Sequence, residues 1–151
     1  MGRPMGAMTG MFDPNRFVAA QAAIYEEALA EIGHGRKRGH WMWFVFPQLA
    51  GLGHSATARH YAIASLDEAR AYLLHLLLGQ RLRTAVETLQ DLEPGLTAQA
   101  VFGEIDALKL RSSLTLFEAA GGERLFAAAL DRWYGGRRDE ATLRLLGKAA
   151  A

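Results

Sequence analysis

The chain has 151 residues, half of them hydrophobic, no cysteine, and 17 Lys plus Arg against 16 Asp plus Glu for a formal net charge of +1. That length and apolar content suit one domain with a cooperative core and exclude wholesale disorder. The missing cysteines exclude disulfides and thiolate metal sites and fit a reducing cytoplasm, while the balanced charge excludes strong global attraction to nucleic acid.

The opening "MGRPMGAMTGM" has no apolar run, so residues 1–11 read as a disordered tail rather than a signal peptide or anchor. The folded domain is expected over residues 12–147, with a short tail at 148–151. "DPNRFVAAQAAIYEEALAEIG" predicts one helix, with Asp13 as N-cap and Pro14 at the first helical position. Phe17, Ala20, Ile24, Ala28 and Ile32 then make a single apolar stripe, ended by Gly33 and Gly35. "RKRGHWMWFVFPQLAGLG" is aromatic from Trp41 to Phe46 and stopped by Pro47, so it reads as a short buried strand or an extended loop lying on the core. Gly51 and Gly53 permit a tight turn after it.

Helices follow. Ser55 caps "ATARHYAIA", and Ser65 with Glu68 forms a capping box for a helix through "LDEARAYLLHLLL". The run "YLLHLLLG" is far too short to cross a bilayer. "GQRLRTAVETLQDLEPG" is a further amphipathic helix closed by Pro94-Gly95, and Thr97 caps a short turn through Phe102. "EIDALKLRSSLTLFEAAGG", "ERLFAAALDRWYGG" and "DEATLRLLG" complete the chain. The fold class is therefore mainly α, a single compact multi-helix domain with at most a minor strand pair.

From Ile32 to Leu66 there is no Asp or Glu, while Arg36, Lys37, Arg38, Arg59 and four of the five histidines fall there. Such a segment is either an anion-facing surface or a solvated basic loop. His34, His40, His54 and His60 lack the HExxH spacing and have no acid among them, so no metal site and no cofactor is assigned. No G-x-S-x-G elbow and no complete phosphate loop occurs. "GLGHS" still places backbone N–H groups at a helix start, where they either hold an anion or simply make a turn. On an extended segment Trp41 and Trp43 share one face, so one side serves the core and the other stacks on a planar ring, with Gln48 reading its edge. In "FGEIDALKLRSSLTLF", Asp106 and Lys109 stand at i,i+3 with Ser112 and Ser113 following, either an acid/base pair beside a cleft or an ordinary helical ion pair.

The blocks "GRKRGHWMWFVFPQLAGLGHSATARHYAI", "EARAYL", "LGQRL", "VFGEIDALKLRSSLTLF" and "DEATLRLL" together resemble the bacterial domain-of-unknown-function family 1810, over about Phe12 to Leu146. Members typically carry a proline where this chain has Leu76. That family is distantly similar in fold to the YbiA-like, or NADAR, group of N-glycosidases that act on phosphorylated ribosyl amines or ADP-ribosylated guanine. The resemblance implies a YbiA-like helical domain with a cleft for a small phosphorylated or nucleotide-like ligand; the sequence itself points to no membrane and gives no strong sign of a nucleic-acid partner. On that expectation Trp41, Trp43 and Phe46 wall a base site with Tyr61 beside them, and Gln48 reads an edge. Gly51, Gly53 and Ser55, with Arg59 or Arg81, hold phosphate, and Ser112 and Ser113 add hydroxyls. Asp106 is the working carboxylate, Lys109 sets its charge, and Asp139 is a reserve carboxylate. A non-catalytic nucleotide-binding module and a protein-interaction domain are the alternatives.

Overall fold

The computed structural model describes residues 12–121 and 123–150, with side chains up to residue 147; the tail expected over residues 1–11 lies outside the described residues. Ten helices follow in chain order, and the only strand-like pairing among the described residues is an isolated parallel bridge between Leu49 and Ile63. The protein is mainly helical and forms one domain.

The first expected helix is two. α1 (Asn15–Ala22) and α2 (Tyr25–Gly33) are separated at Ala23–Ile24, and the kink lets α1 face α3 while α2 lies along α6. The helix starts one residue later than expected: Pro14, not Asp13, is the N-cap of α1 and makes no side-chain cap bond, while Asp13 Oδ1 accepts the N–H of Asn15, the first helical residue, at 3.1 Å. Buried Gln21 ties the corner together: its amide donates to the Phe44 carbonyl at 2.6 Å and the Tyr72 hydroxyl at 3.2 Å, and accepts from Arg81 at 3.3 Å. A buried amide with every polar atom partnered specifies one arrangement of α1 against its neighbours.

The aromatic run is not extended. Met42–Val45 forms one helical turn, α3, flanked by Trp41 and Phe46 outside the helical region, Phe46 with ψ of 75° ahead of Pro47. α4 (Ala56–His60) is capped by Ser55, whose Oγ accepts the Ala58 N–H at 3.1 Å. Arg16 fastens the chain beyond α4 to α1 by donating to the carbonyls of His60 and Ala62, both at 2.9 Å.

The helix expected through Leu78 breaks at His75. α5 (Leu66–Leu74) ends there, and His75 adopts an extended ψ of 124° and accepts the Leu78 N–H through Nδ1 at 3.1 Å, capping α6 (Leu76–Gln90). Leu76 is the first residue of α6, a position that accepts proline without loss. The break turns Leu74 and Leu76 outward, 84% and 88% exposed, so this most apolar stretch is not a core strip. The capping box at α5 is displaced by one residue: Ser65 accepts the Glu68 N–H at 3.1 Å, but Glu68 reaches back to the Ala64 N–H at 2.6 Å.

α7 (Ala98–Phe102) is capped by Thr97 and ends at Gly103, whose φ of 83° turns the chain into α8 (Glu104–Gly121). α8 is the central element, packed against α5, α7, α9 (Arg124–Tyr134) and α10 (Glu140–Ala150). α10 runs past the boundary expected at residue 147. The core gathers Phe17, Trp41, Phe46, Tyr72, Phe117 and Phe126 around α8, with Tyr72 edge-on to Phe17 at 5.2 Å.

Candidate functional site

Because α3 is a helical turn, Trp41 and Trp43 are roughly 200° apart rather than on one face. Trp41 is sealed in the core, between Phe46 and Phe102 at 6.3 Å from each, while Trp43 is half-buried at the surface. The expected shared face therefore does not exist. Trp41 and Phe46 are both 0% exposed and are packing residues, so their place as walls of a base site is withdrawn.

Trp41 is positioned by Glu31, which the sequence reading missed. One carboxylate oxygen of Glu31, Oε1, accepts three N–H groups, from Arg38 at 2.7 Å, Gly39 at 2.9 Å and the Trp41 indole at 2.8 Å. Burial alone would raise this carboxyl, but the donors from Gly39, Arg38 and Trp41, with the Lys37 charge nearby, hold it below the ordinary value. The clamp closes the basic loop on itself. His34, Arg36, Arg38 and His40 stay exposed and Lys37 turns inward, so residues 34–40 present their even-numbered side chains to solvent.

Lys37 is the second residue the sequence reading missed. Its Nζ meets Asp106 at 2.8 Å, lies 5.0 Å from the centroid of the Trp41 ring and donates to the Gly39 carbonyl. Lys109 reaches Asp106 from the other side at 3.8 Å and lies 5.0 Å from the centroid of the Trp43 ring. Asp106 is thus held between two lysines, each resting over its own indole. The aromatic segment and the acidic–basic helix do meet, and the junction between them is Trp43, Lys109 and Asp106.

Beyond Trp43 lies a hollow bounded by Gln48, Gly53, Ala58 and Tyr61. It holds about 10 Å³, room for one water. Tyr61 is fixed between the rings of Phe44 at 5.3 Å and Phe17 at 5.9 Å. Gly53 is demanded by crowding, since a β-carbon there would stand 2.6 Å from that of Ala58. Gly51 has φ of 103° and lies against Leu145 of α10. The indole N–H of Trp41 is bonded to Glu31 and that of Trp133 to Gln90, whereas the Trp43 N–H and the Gln48 amide have no hydrogen-bond partner among the described residues. Both of these residues border the same hollow.

The other expected residues are elsewhere or already engaged. Arg81 serves the α1–α2–α6 corner, bonded to Gln21 and 4.9 Å from the centroid of the Tyr25 ring, so it holds no phosphate at the Gly turn. Arg59 is exposed on α4, and the Ser55 hydroxyl is engaged as its cap. Ser112 donates to the Leu108 carbonyl at 3.2 Å, and Ser113 is buried with no partner for its hydroxyl, so neither faces the hollow. Asp139 is a helix cap: it accepts the Thr142 N–H at 3.0 Å and hydroxyl at 2.6 Å, which removes it as a reserve carboxylate. Among the described residues no three His, Asp or Glu side chains are placed to share a metal ion, and no helix is long and apolar enough to cross a membrane.

The model of a family described as a protein of unknown function (DUF1810) matches residues 11–146. The chain belongs to this family. The DUF1810 fold seen here is similar to the crystal structure of the conserved hypothetical protein Rv1873 from Mycobacterium tuberculosis, with 50% identity and a TM-score of 0.88 over 90% of this chain and 97% of that one. No curated protein matches the chain. The DUF1810 blocks quoted from the sequence fall mainly on the clamp loop, α3, the Gly turn and α8, the elements that build the Trp43–Asp106 junction.

Proposed function

We propose that the Trp43–Lys109–Asp106 face is the working site of an N-glycosidase-type hydrolase acting on a ribosyl-phosphate or ADP-ribosyl compound. The observation that carries this reading is Lys109, which lies over the Trp43 ring and within 3.8 Å of Asp106, so that one cation joins a half-exposed indole to a carboxylate. Cleavage of a C1–N bond develops positive charge on the sugar, and a carboxylate at that point stabilises it. In this reading Asp106 faces the sugar and receives a proton from the attacking water, and that proton passes to the departing nitrogen. The C1–N bond breaks as the C1–O bond forms. Trp43 carries the base on its face, Gln48 reads its edge, and Lys109 with the exposed Arg59 meets phosphate. The hollow beside Trp43 admits only a water, so the ring would lie on the outer surface of Trp43 and the Gly turn.

A second reading, a non-catalytic nucleotide or ADP-ribose module, is favoured by the 2.8 Å pair between Lys37 and Asp106, which already neutralises the carboxylate from behind. One experiment separates them. The chain is screened by thermal shift against ADP-ribose, ribose phosphates and nucleotides, and each responding compound is followed by mass analysis for released base. Ligand at a hundred times its dissociation constant stabilises the fold by about 2.7 kcal/mol. The hydrolase reading expects release by the native chain, binding without release by Asp106→Asn, and no response from Trp43→Ala. Binding without release by the native chain leaves the module; a flat panel sinks both and favours a protein-interaction domain.

A further inference from the structure

A second constellation, on the opposite flank of α8, belongs to none of this. Asp106 and Arg111 are five residues apart, which turns Arg111 about 140° away from Asp106 around the helix. There α8 faces the end of α9 across a basin of about 430 Å³, bordered by Gln99, Leu108, Arg111, Trp133, Tyr134 and Arg137. That volume falls within the range of small-molecule sites.

Four arginines stand around this end of the molecule, and their hydrogen bonding divides them sharply. Arg132 donates to the carbonyls of Gln90, Leu92 and Glu93. Arg138 makes a two-pronged pair with Glu118. The two that border the basin have fewer protein acceptors. Arg111 comes no closer than 4.0 Å to Asp139, whose other oxygen caps α10, and the Arg111 Nε is buried without any partner. Arg137 has a single long bond, 3.4 Å, to the Tyr134 carbonyl. A guanidinium carries five donors and its charge is costly to desolvate unless an acceptor is supplied. Two such groups on one basin, whose lining holds no carboxylate and where Arg111 has only the 4.0 Å pair with Asp139, make a fork-shaped receptor for an oxyanion. Leu108, 54% exposed at the rim, offers an apolar shelf to whatever carries the anion.

We propose that the Arg111–Arg137 basin binds the phosphate or carboxylate of a small organic ligand, at a site distinct from the Trp43–Asp106 junction. The test uses the three indole N–H resonances of the chain, one for each tryptophan. Phenyl phosphate, benzoate and inorganic phosphate are titrated separately into the full chain labelled with nitrogen-15. Trp133 borders the basin and Trp41 is sealed elsewhere, so the Trp133 signal should move saturably while that of Trp41 stays still. Stronger binding of phenyl phosphate than benzoate identifies a phosphate site, and the reverse order a carboxylate site; either outcome supports the proposal. Arg137→Gln, at an exposed position, should weaken binding about tenfold or more, and Arg111→Lys, which keeps the charge but loses the fork, should weaken it as well. Trp43→Ala should leave this titration unchanged, so the result stands apart from the fate of the hydrolase reading. No saturable movement of Trp133 with any of the three probes, or movement that persists unaltered in both arginine variants, overturns it.

Discussion

Asp106 is flanked by two copies of the same device, a lysine lying 5.0 Å from the centroid of an indole, and the copies have opposite character. At Lys37 and Trp41 everything is enclosed: the lysine side chain is 8% exposed, the indole 0%, and its N–H is bonded to Glu31. At Lys109 and Trp43 the lysine side chain is 26% exposed, the indole is half-buried and its N–H has no partner among the described residues. Cation–ring contact is therefore not what separates structure from function here. What separates them is whether the remaining donors are satisfied inside the protein. The inner pair anchors the loop and sets Asp106 in place; the outer pair leaves polar groups for something else to meet.

Replacing the two indoles is the strongest way to break that contrast. Trp41→Ala leaves a core cavity and deprives Glu31 of a donor, and should lower unfolding free energy in urea by about 3–5 kcal/mol. Trp43→Ala, at a half-buried site, should lower it by about 1 kcal/mol. Equal losses would show that both pairs are structural and would remove the basis for a site at Trp43.

An intermediate effect is expected at the clamp. Glu31→Gln keeps the acceptor oxygen but removes its charge, and should destabilise by about 1–2 kcal/mol at neutral pH. The folded carboxyl is held below its ordinary value, so its contribution is complete above the ordinary carboxylate range and is lost as pH falls through the lowered folded value. The stability difference between native and Glu31→Gln should accordingly shrink on acidification, read from urea midpoints at a series of pH values. A difference independent of pH would mean that shape, not charge, holds the loop.

The smallest effect sharpens the comparison most. Lys109→Met removes a partly exposed ion pair and should change stability by about 0.5 kcal/mol or less. Lys37→Met removes the enclosed partner of Asp106 and should cost about 1–2 kcal/mol, less than a fully buried pair because Asp106 keeps Lys109 and some solvent. Thermal or urea unfolding of the two variants measures this ratio, and a reversal would place the structural pair on the outer side.

Much of the helical framework was legible beforehand, because the signals that start helices act within one turn. Ser55, Ser65 and Thr97 each accept an N–H in the first turn of the helix they were expected to cap, and Asp13 accepts the first N–H of α1 from one position outside its cap. Two expectations failed for a common reason. The apolar stripe of the first helix ran on past Ala23 without marking the kink, and the leucines around His75 read as part of one continuous helix although the chain breaks there. Periodicity reports which residues are apolar, not which neighbour will cover them. The aromatic run failed differently: β-favouring residues described an extended segment, but packing against α1 and α8 overrode that local preference and wound Met42–Val45 into one turn.

By itself, the sequence determined the helical class, the caps, the single-domain scale and the two segments that build the junction, all properties carried by neighbours along the chain. Only the tertiary structure decided that Trp41 is sealed and Trp43 half-open, that Lys37 belongs to Asp106, that Glu31 holds the basic loop, and that Arg111 and Arg137 lack the partners Arg132 and Arg138 have. Burial and charge pairing depend on what arrives through space, and no spacing rule within one segment contains that information.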